Sequence, residues 1–408
     1  MSVAGLLLAI LGLAGRLGAA HAAGGWTIFN DIPDHWHVFA GAIATVRKHL
    51  DPHTQLVWLS LSRERQSREH PPPYGLLDWL GDKPNGSDWH HLPYVQKVPT
   101  RIPDVGGPMK RTLSWGPVQG LVCVSPELDH LKACHKAAKV LGAKHVVALI
   151  HRGDFIRSHS WFLSLAVDRR EVPVHLVALV PHVSKCANAS LHGALPVHWA
   201  TMVAPYTSPQ PCESKSCLEG FVVQGSLRQW KTKNGSGLIR NYDGLWEQLR
   251  STKGAASVRI KVLGQGNKRD LALPKELEKR VDFHSGLPFP DYWEIISRSY
   301  ALAPMHGTSQ YLTMRCSSTY LTMRCSSTVL ASLTTCVPLI ADAALLGAYD
   351  MFTKEHVFFQ EEGETEVEVM KRVMALPDKE LFAKRAAVCR LRDEQLRRSA
   401  RVLRDLVE

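Results

Sequence analysis

The sequence predicts an α/β protein built from two Rossmann-like, doubly wound domains. Three observations carry that expectation: a length of 408 residues, short apolar runs alternating with amphipathic segments, and one punctuated stretch dividing two such series. A chain this long exceeds the size at which a single core stops growing, so two domains are expected. Apolar residues at 45% and charged residues at 21% are ordinary for a globular protein and exclude wholesale disorder.

Residues 1–22 hold a short apolar core from Leu6 to Leu13, then small residues ending in Ala20-His21-Ala22. That pattern reads as a signal peptide. Its apolar run is broken by Arg16 and is shorter than the roughly 20 residues that span a bilayer, with type II membrane anchoring as the alternative. Residues 23–205 form the expected first domain. WTIFN (26–30) reads as a strand, WHVFAGAIATVRKHL (36–50) as a helix and TQLVWLSL (54–61) as a strand, followed by a looser span rich in Pro and Trp from Pro71 to Trp115. Regularity returns with strand GLVCVSP (120–126), helix LDHLKACHKAAKVLGA (128–143), and strands HVVALIH (145–151), VHLVALVPH (174–182) and WATMVAP (199–205).

YTSPQPCESKSCLEG (206–220) has turn punctuation and no apolar period, so it reads as the linker. The second domain, 221–365, opens with strand FVVQG (221–225) and helix LIRNYDGLWEQLRS (238–251). VRIKVLGQG (258–266), LPKELEKR (273–280), VDFHSG (281–286), PDYWEIISRS (290–299) and YALAPM (300–305) continue the alternation of strand and helix. STVLASLTTC (327–336) and VPLIAD (337–342) repeat it once more, and helices are expected over 366–408. Alternation at this spacing requires crossover connections, and therefore parallel sheets covered on both faces.

The formal charge is +11, but Lys371–Glu408 alone carries eleven basic against six acidic residues. The excess is terminal and not a groove, so nucleic acid is not expected as a partner; these basic helices are instead candidates for membrane-surface association. Nine cysteines leave at least one unpaired within the chain, and Cys212 and Cys217 are placed for a small disulfide loop. None shows zinc-site spacing, so no metal is expected. Sequons at Asn85, Asn188 and Asn234 agree with passage through the secretory pathway, in the Golgi or endoplasmic reticulum lumen or outward as a secreted glycoprotein. YLTMRCSST occurs twice in direct succession, at 311–319 and 320–328, and only the copy running into VLASLTTC can form the entrance to that helix.

Ligands of open α/β sheets bind outside the carboxyl ends of the strands, where helix N-termini direct free amides. The polar residues at those ends are Asp34, His35 and His37 after the first strand, then His151, Arg152 and Asp154, then His182. In the second half they are Gln224, Gly225 and Arg228, then Gly264 to Gly266, His284 and His306. Arg228, Lys231 and Lys233 form a basic cluster suited to a diphosphate, with glycine allowing close backbone approach. Ser326, Ser327 and Thr328 open a helix, where hydroxyls cap amides or contact a phosphate. No Gly-x-Ser-x-Gly elbow occurs, which removes the serine-hydrolase reading.

The series FVVQG…RNYDGLWEQL…VRIKVLGQG…LPFPDYWEIISRSYALAP…SSTVLASLTTCVPLIAD resembles the C-terminal half of GT-B glycosyltransferases of the glycosyl transferase group 1 type, over residues 221–360. The resemblance implies a nucleoside diphosphate-sugar in the second domain, a glycan, protein or lipid acceptor in the first, and no separate cofactor. It places Gly225, Arg228, Lys233, Gly264, His306, Ser326 and Ser327 around the nucleotide-sugar, and His35 with Asp34 as candidates for acceptor activation. The chain departs from that family where two glutamates are expected: Ala331 stands at the second, and no acid lies between Pro304 and Asp342. The alternative reading is therefore a catalytically inactive GT-B-like protein that binds glycans or a partner.

Overall fold

The structure, a computed structural model, describes residues 25–30, 35–52, 54–59, 75–81, 95–98, 117–128, 131–156, 172–225, 227, 229–232, 235–238, 240–305 and 320–408. The first lobe runs β1 (Trp26–Asn30), α1 (Trp36–His49), β2 (Gln55–Leu59), α2 (Leu76–Trp79), β3 (Val95–Val98), β4 (Gly120–Val124) and α3 (Leu131–Leu141). It continues with β5 (His145–Ile150), α4 (Gly153–Ile156), β6 (Val174–Ala178), α5 (Pro181–Ser190) and β7 (Val197–Trp199). Seven strands pair in the order β3-β2-β1-β4-β5-β6-β7, and every pair is parallel. β1 and β4 are buried along their whole length, as strands covered on both faces must be. The winding reverses between β1 and β4, which opens a crevice at their carboxyl ends.

The second lobe runs β8 (Phe221–Gln224), β9 (Gln229–Thr232), β10 (Gly235–Leu238), α6 (Tyr242–Ser251), β11 (Ile260–Leu263), β12 (Val281–His284) and α7 (Phe289–Ser297). Then come α8 (Ser327–Thr335), β13 (Leu339–Ala341), α9 (Ala343–Ala348), β14 (Val357–Phe359), α10 (Glu366–Ala375) and α11 (Asp378–Asp405). β12-β11-β8 and β13-β14 are parallel ladders, and Leu302 joins them by bridging Val222 on one side and Leu339 on the other. The combined order reverses beside β8, repeating the winding of the first lobe. The doubly wound expectation holds in both halves.

Several local expectations are corrected. The helix expected from Leu238 starts at Tyr242, because 235–238 pairs antiparallel with 229–232 and the Asn241 side chain caps by accepting from Gly244 N at 2.9 Å. The helix expected over 273–280 is a single 3-10 turn, Lys275–Leu277. The strand expected over 300–305 contributes only Leu302 to the ladder, and Met305 leaves it at φ 51°. The strand expected over 199–205 ends at Trp199, where the chain turns toward the second lobe.

The terminal helices do not stand apart as a basic appendage. α10 and the start of α11 pack in the second lobe through Val367, Met370 and Leu381, whereas Val388, Leu391, Leu403 and Val407 join the core that holds β1 and α1. Ser399 Oγ donates to Thr201 O at 2.9 Å and Gln119 Nε2 to Val407 O at 3.0 Å, so α11 straps one lobe to the other. Among the described residues no helix is long and apolar enough to cross a membrane.

Cys212 pairs with Cys217 as expected, and two further disulfides tie Cys123 on β4 to Cys134 on α3 and Cys336 after α8 to Cys389 on α11. Cys186 and Cys325 are reduced. Of the three sequons, Asn85 and Asn234 lie outside the described residues. Asn188 sits inside α5, where its amide donates to Val197 O at 3.3 Å and its carbonyl accepts from Val197 N at 3.1 Å. Those bonds occupy the nitrogen a glycan would need.

Candidate functional site

On the first lobe the site begins where β1 and β4 end. His35 is the N-cap of α1 in the left-handed region, φ 60°, and Ser125, just past β4, is also left-handed at φ 48°. The two meet, with His35 Nδ1 2.6 Å from Ser125 Oγ. The His151 ring, just past β5, lies 4.1 Å from the His35 ring, centroid to centroid. Burial, with Arg152 adding to it, lowers His35 to about 4. His151 is pushed well below its ordinary value by burial, then by His35, His37, Arg152 and Arg324. Both rings are therefore neutral at physiological pH.

Beneath them Glu127 is fully enclosed, and its Oε1 accepts the amides of His151 and Arg152, each at 2.9 Å. Burial pushes its carboxyl up to about 8 against the opposing pull of those amides and Arg152, so it is largely unionised at neutral pH. Glu127 thus fixes the backbone that presents His151. Arg152 reaches the other way, forming a two-bond pair with Asp154 at 3.1 and 2.6 Å over the Phe155 ring.

The segment entering α8 closes directly onto this rim. Cys325 N donates to His151 O at 3.2 Å, Gly153 N donates to Met323 O at 2.9 Å, and Arg152 bridges Arg324. His182 lies between the lobes, with Nδ1 3.0 Å from Ala348 O and Nε2 2.9 Å from Arg324 O. Tyr349 OH accepts from Ser326 N at 2.8 Å and lies 3.0 Å from Tyr320 O. The second copy of the duplicated nonapeptide therefore forms the helix entrance, as expected. The first copy lies outside the described residues.

On the second lobe, Ser326 is the N-cap of the nine-residue helix α8, yet its side chain makes no capping bond. The amides of Ser327 and Thr328 find no acceptor among the described residues, which leaves the positive end of α8 open. Arg240, at the mouth of α6, is 8% exposed. Its Nη1 donates to Pro304 O at 2.6 Å and its Nη2 to Thr328 Oγ1 at 3.4 Å. Both acceptors are neutral, and among the described residues no carboxylate pairs with this guanidinium. A buried cation without a counter-charge beside a helix N-terminus is suited to hold an anion.

The glycines expected at the nucleotide act first in packing. Gly225 runs at φ 144°, and a Cβ there would meet Arg240 Nη2 at 2.5 Å, so the missing side chain is the space the guanidinium occupies. A Cβ on Gly264 would stand 1.8 Å from Gly225 O, so these two loops can meet only as bare backbone.

His35, Ser326 and Ser327 are brought to the cleft, linked through His151 and Cys325. Lys231 lies in β9; Asp34, Arg228, Lys233 and His306 lie outside the described residues. Arg240, Ser125 and Glu127 were missed. The sequence set Arg240 in the first turn of the expected helix, Ser125 near the end of an expected strand and Glu127 just past it, with no sign of their partners. Among the described residues no group of three or more His, Cys, Asp or Glu side chains is placed to hold a metal.

No family model matches the chain, and no curated protein matches it. Solved structures do. The chain is similar to Anabaena Alr3699/HepE, solved in complex with UDP, at 13% identity over 94% of this chain and 100% of that one, with a TM-score of 0.51. It is similar to a UDP-forming α,α-trehalose-phosphate synthase from Burkholderia xenovorans at 9% identity, over 94% and 99%, with a TM-score of 0.52. The N-terminal domain of Candida albicans trehalose-6-phosphate phosphatase matches at 9% identity, over 94% and 97%, with a TM-score of 0.53. At these identities the likeness is one of fold. Two Rossmann-like lobes and a cleft at their switch points give this chain the GT-B glycosyltransferase fold.

Proposed function

We propose that the protein transfers a sugar from a nucleoside diphosphate-sugar to a hydroxyl-bearing glycan, protein or lipid in the secretory pathway. The observation that carries this reading is the buried Arg240 guanidinium, held by neutral oxygens beside the open N-terminus of α8, at the carboxyl edge of the second sheet. A departing diphosphate requires positioned positive charge, and this arrangement supplies it. The neutral His35 and His151 rings line the opposite side, where an acceptor would lie. The UDP bound in the similar Anabaena Alr3699/HepE supports a uridine nucleotide as the first candidate. Three disulfides support an oxidising compartment.

The absence of any acid on α8, with Ala331 buried in its middle, favours as second reading a protein that binds the nucleotide-sugar without turning it over. Incubation of the purified protein with a panel of nucleoside diphosphate-sugars, with release of diphosphate measured, separates the two. Transfer or hydrolysis supports the first reading, binding without release supports the second, and neither binding nor release overturns both.

A further inference from the structure

We propose that Ser125 fixes the tautomer of His35, so that this histidine presents an Nε2–H donor to an oxygen of the bound ligand and not a basic nitrogen. The proposal deepens the glycosyl-transfer reading and rests on it only for the identity of the ligand.

The argument is one of hydrogen counting. A serine hydroxyl has one hydrogen to give, and a neutral imidazole has one N–H and one bare nitrogen. The 2.6 Å contact between Ser125 Oγ and His35 Nδ1 admits two arrangements: the ring donates to the hydroxyl, or the hydroxyl to the ring. Ser125 is fully enclosed, and its Oγ has no other partner among the described residues. If it only accepted, its own hydrogen would be buried unmatched, at a cost of about 1–3 kcal/mol. If it donates, both atoms are satisfied by one bond. Nδ1 is then the bare nitrogen, and the ring proton resides on Nε2.

The rest of the ring agrees. Nε2 makes no hydrogen bond among the described residues and is not one of the enclosed polar atoms left without a partner, so its proton is available to a ligand. The ring stays neutral down to about pH 4, which keeps the single proton in place across the physiological range. Both partners are non-glycine residues in the left-handed region, a conformation costing on the order of 1 kcal/mol or more each. Two such residues meeting through one bond are over-determined by their surroundings, as a positioned group must be. Ser125 is thus a positioning residue. His35, read from the sequence as a candidate for acceptor activation, becomes a donor that selects ligands placing an oxygen lone pair at Nε2, whether a sugar hydroxyl or a phosphate oxygen.

The test needs no substrate. Uniformly 15N-labelled protein is examined by long-range proton–nitrogen correlation, with the His35 signals assigned by their loss in H35Q. At pH 7 the wild type is expected to show a protonated Nε2 and a bare Nδ1, unchanged at pH 5. S125G removes the hydroxyl while suiting the left-handed backbone, and it is expected to shift His35 to a mixture of tautomers. A protonated Nδ1 or an imidazolium in the wild type overturns the proposal, and so does an unaltered single tautomer in S125G. Because the readout is a tautomer and not a rate, failure of the glycosyl-transfer reading would leave it intact, and the reverse.

Discussion

Replacing Arg240 by methionine isolates the charge from the volume it fills. The guanidinium donates to Pro304 O at 2.6 Å and to Thr328 Oγ1 at 3.4 Å, and its remaining donors have no partner among the described residues. Losing one charge-assisted hydrogen bond to a diphosphate costs about 1.5–3 kcal/mol, roughly a 10- to 100-fold rise in Kd. The same substitution leaves two buried oxygens without a donor, at about 1–3 kcal/mol, but also relieves the burial of an unpaired cation, so the change in folding stability is expected to be smaller than either term. Calorimetric titration at about 0.15 M salt with a nucleoside diphosphate and with the matching nucleoside separates these effects. R240M should weaken the diphosphate and spare the nucleoside. Equal loss for both ligands, or no loss for either, would refute the assignment of Arg240 to the diphosphate.

Gly264→Ala drives a Cβ to within 1.8 Å of Gly225 O and should lower stability by at least about 1–3 kcal/mol by chemical denaturation, with loss of nucleotide affinity; a normal denaturation midpoint would contradict the loop contact. Glu127, raised from 4.5 to about 8 in the folded state, contributes stability fully present below pH 4.5 and lost as pH rises toward 8, whereas His35, lowered from 6.5 to about 4, contributes stability lost as pH falls through that interval. E127Q should therefore remove a decline on the order of 1 kcal/mol per pH unit between pH 4.5 and about 8, and parallel pH profiles for the two proteins would count against a buried unionised Glu127. Cys336→Ala opens a link between residues 53 apart and should cost about 2–5 kcal/mol in denaturant, matched by mild reductant on the wild type; an unchanged midpoint would mean the bond does not form. Deleting residues 311–319 should leave the melting temperature unchanged or raised, since 320–328 already supplies the entrance to α8, and a large fall would show that the first copy carries structure.

Much of the fold could be read from the chain because its strands are short, apolar and buried on both faces, so β1, β4, β5, β8 and β11 stand out as runs without alternation. Their ends located the crevice, and with it His35, Ser326 and Ser327. What escaped reading depends on contacts made between distant segments. Arg240 looked like the first turn of a helix, and only the pairing of 235–238 with 229–232 and the Asn241 cap push the helix back and leave the guanidinium against Gly225. Ser125 and Glu127 acquire their roles from His35 and the His151 backbone, 90 and 24 residues away. The basic count in 371–408 suggested a surface for membranes, yet it does not reveal that the apolar face of α11 spans both lobes.

A crystal structure with a nucleoside diphosphate bound tests the central claim most directly. The account predicts phosphate oxygens within hydrogen-bonding distance of the Arg240 guanidinium and of the Ser327 and Thr328 amides, with the base lying along the carboxyl edge of the second sheet. A nucleotide seated elsewhere, with Arg240 still held only by Pro304 and Thr328, would contradict it.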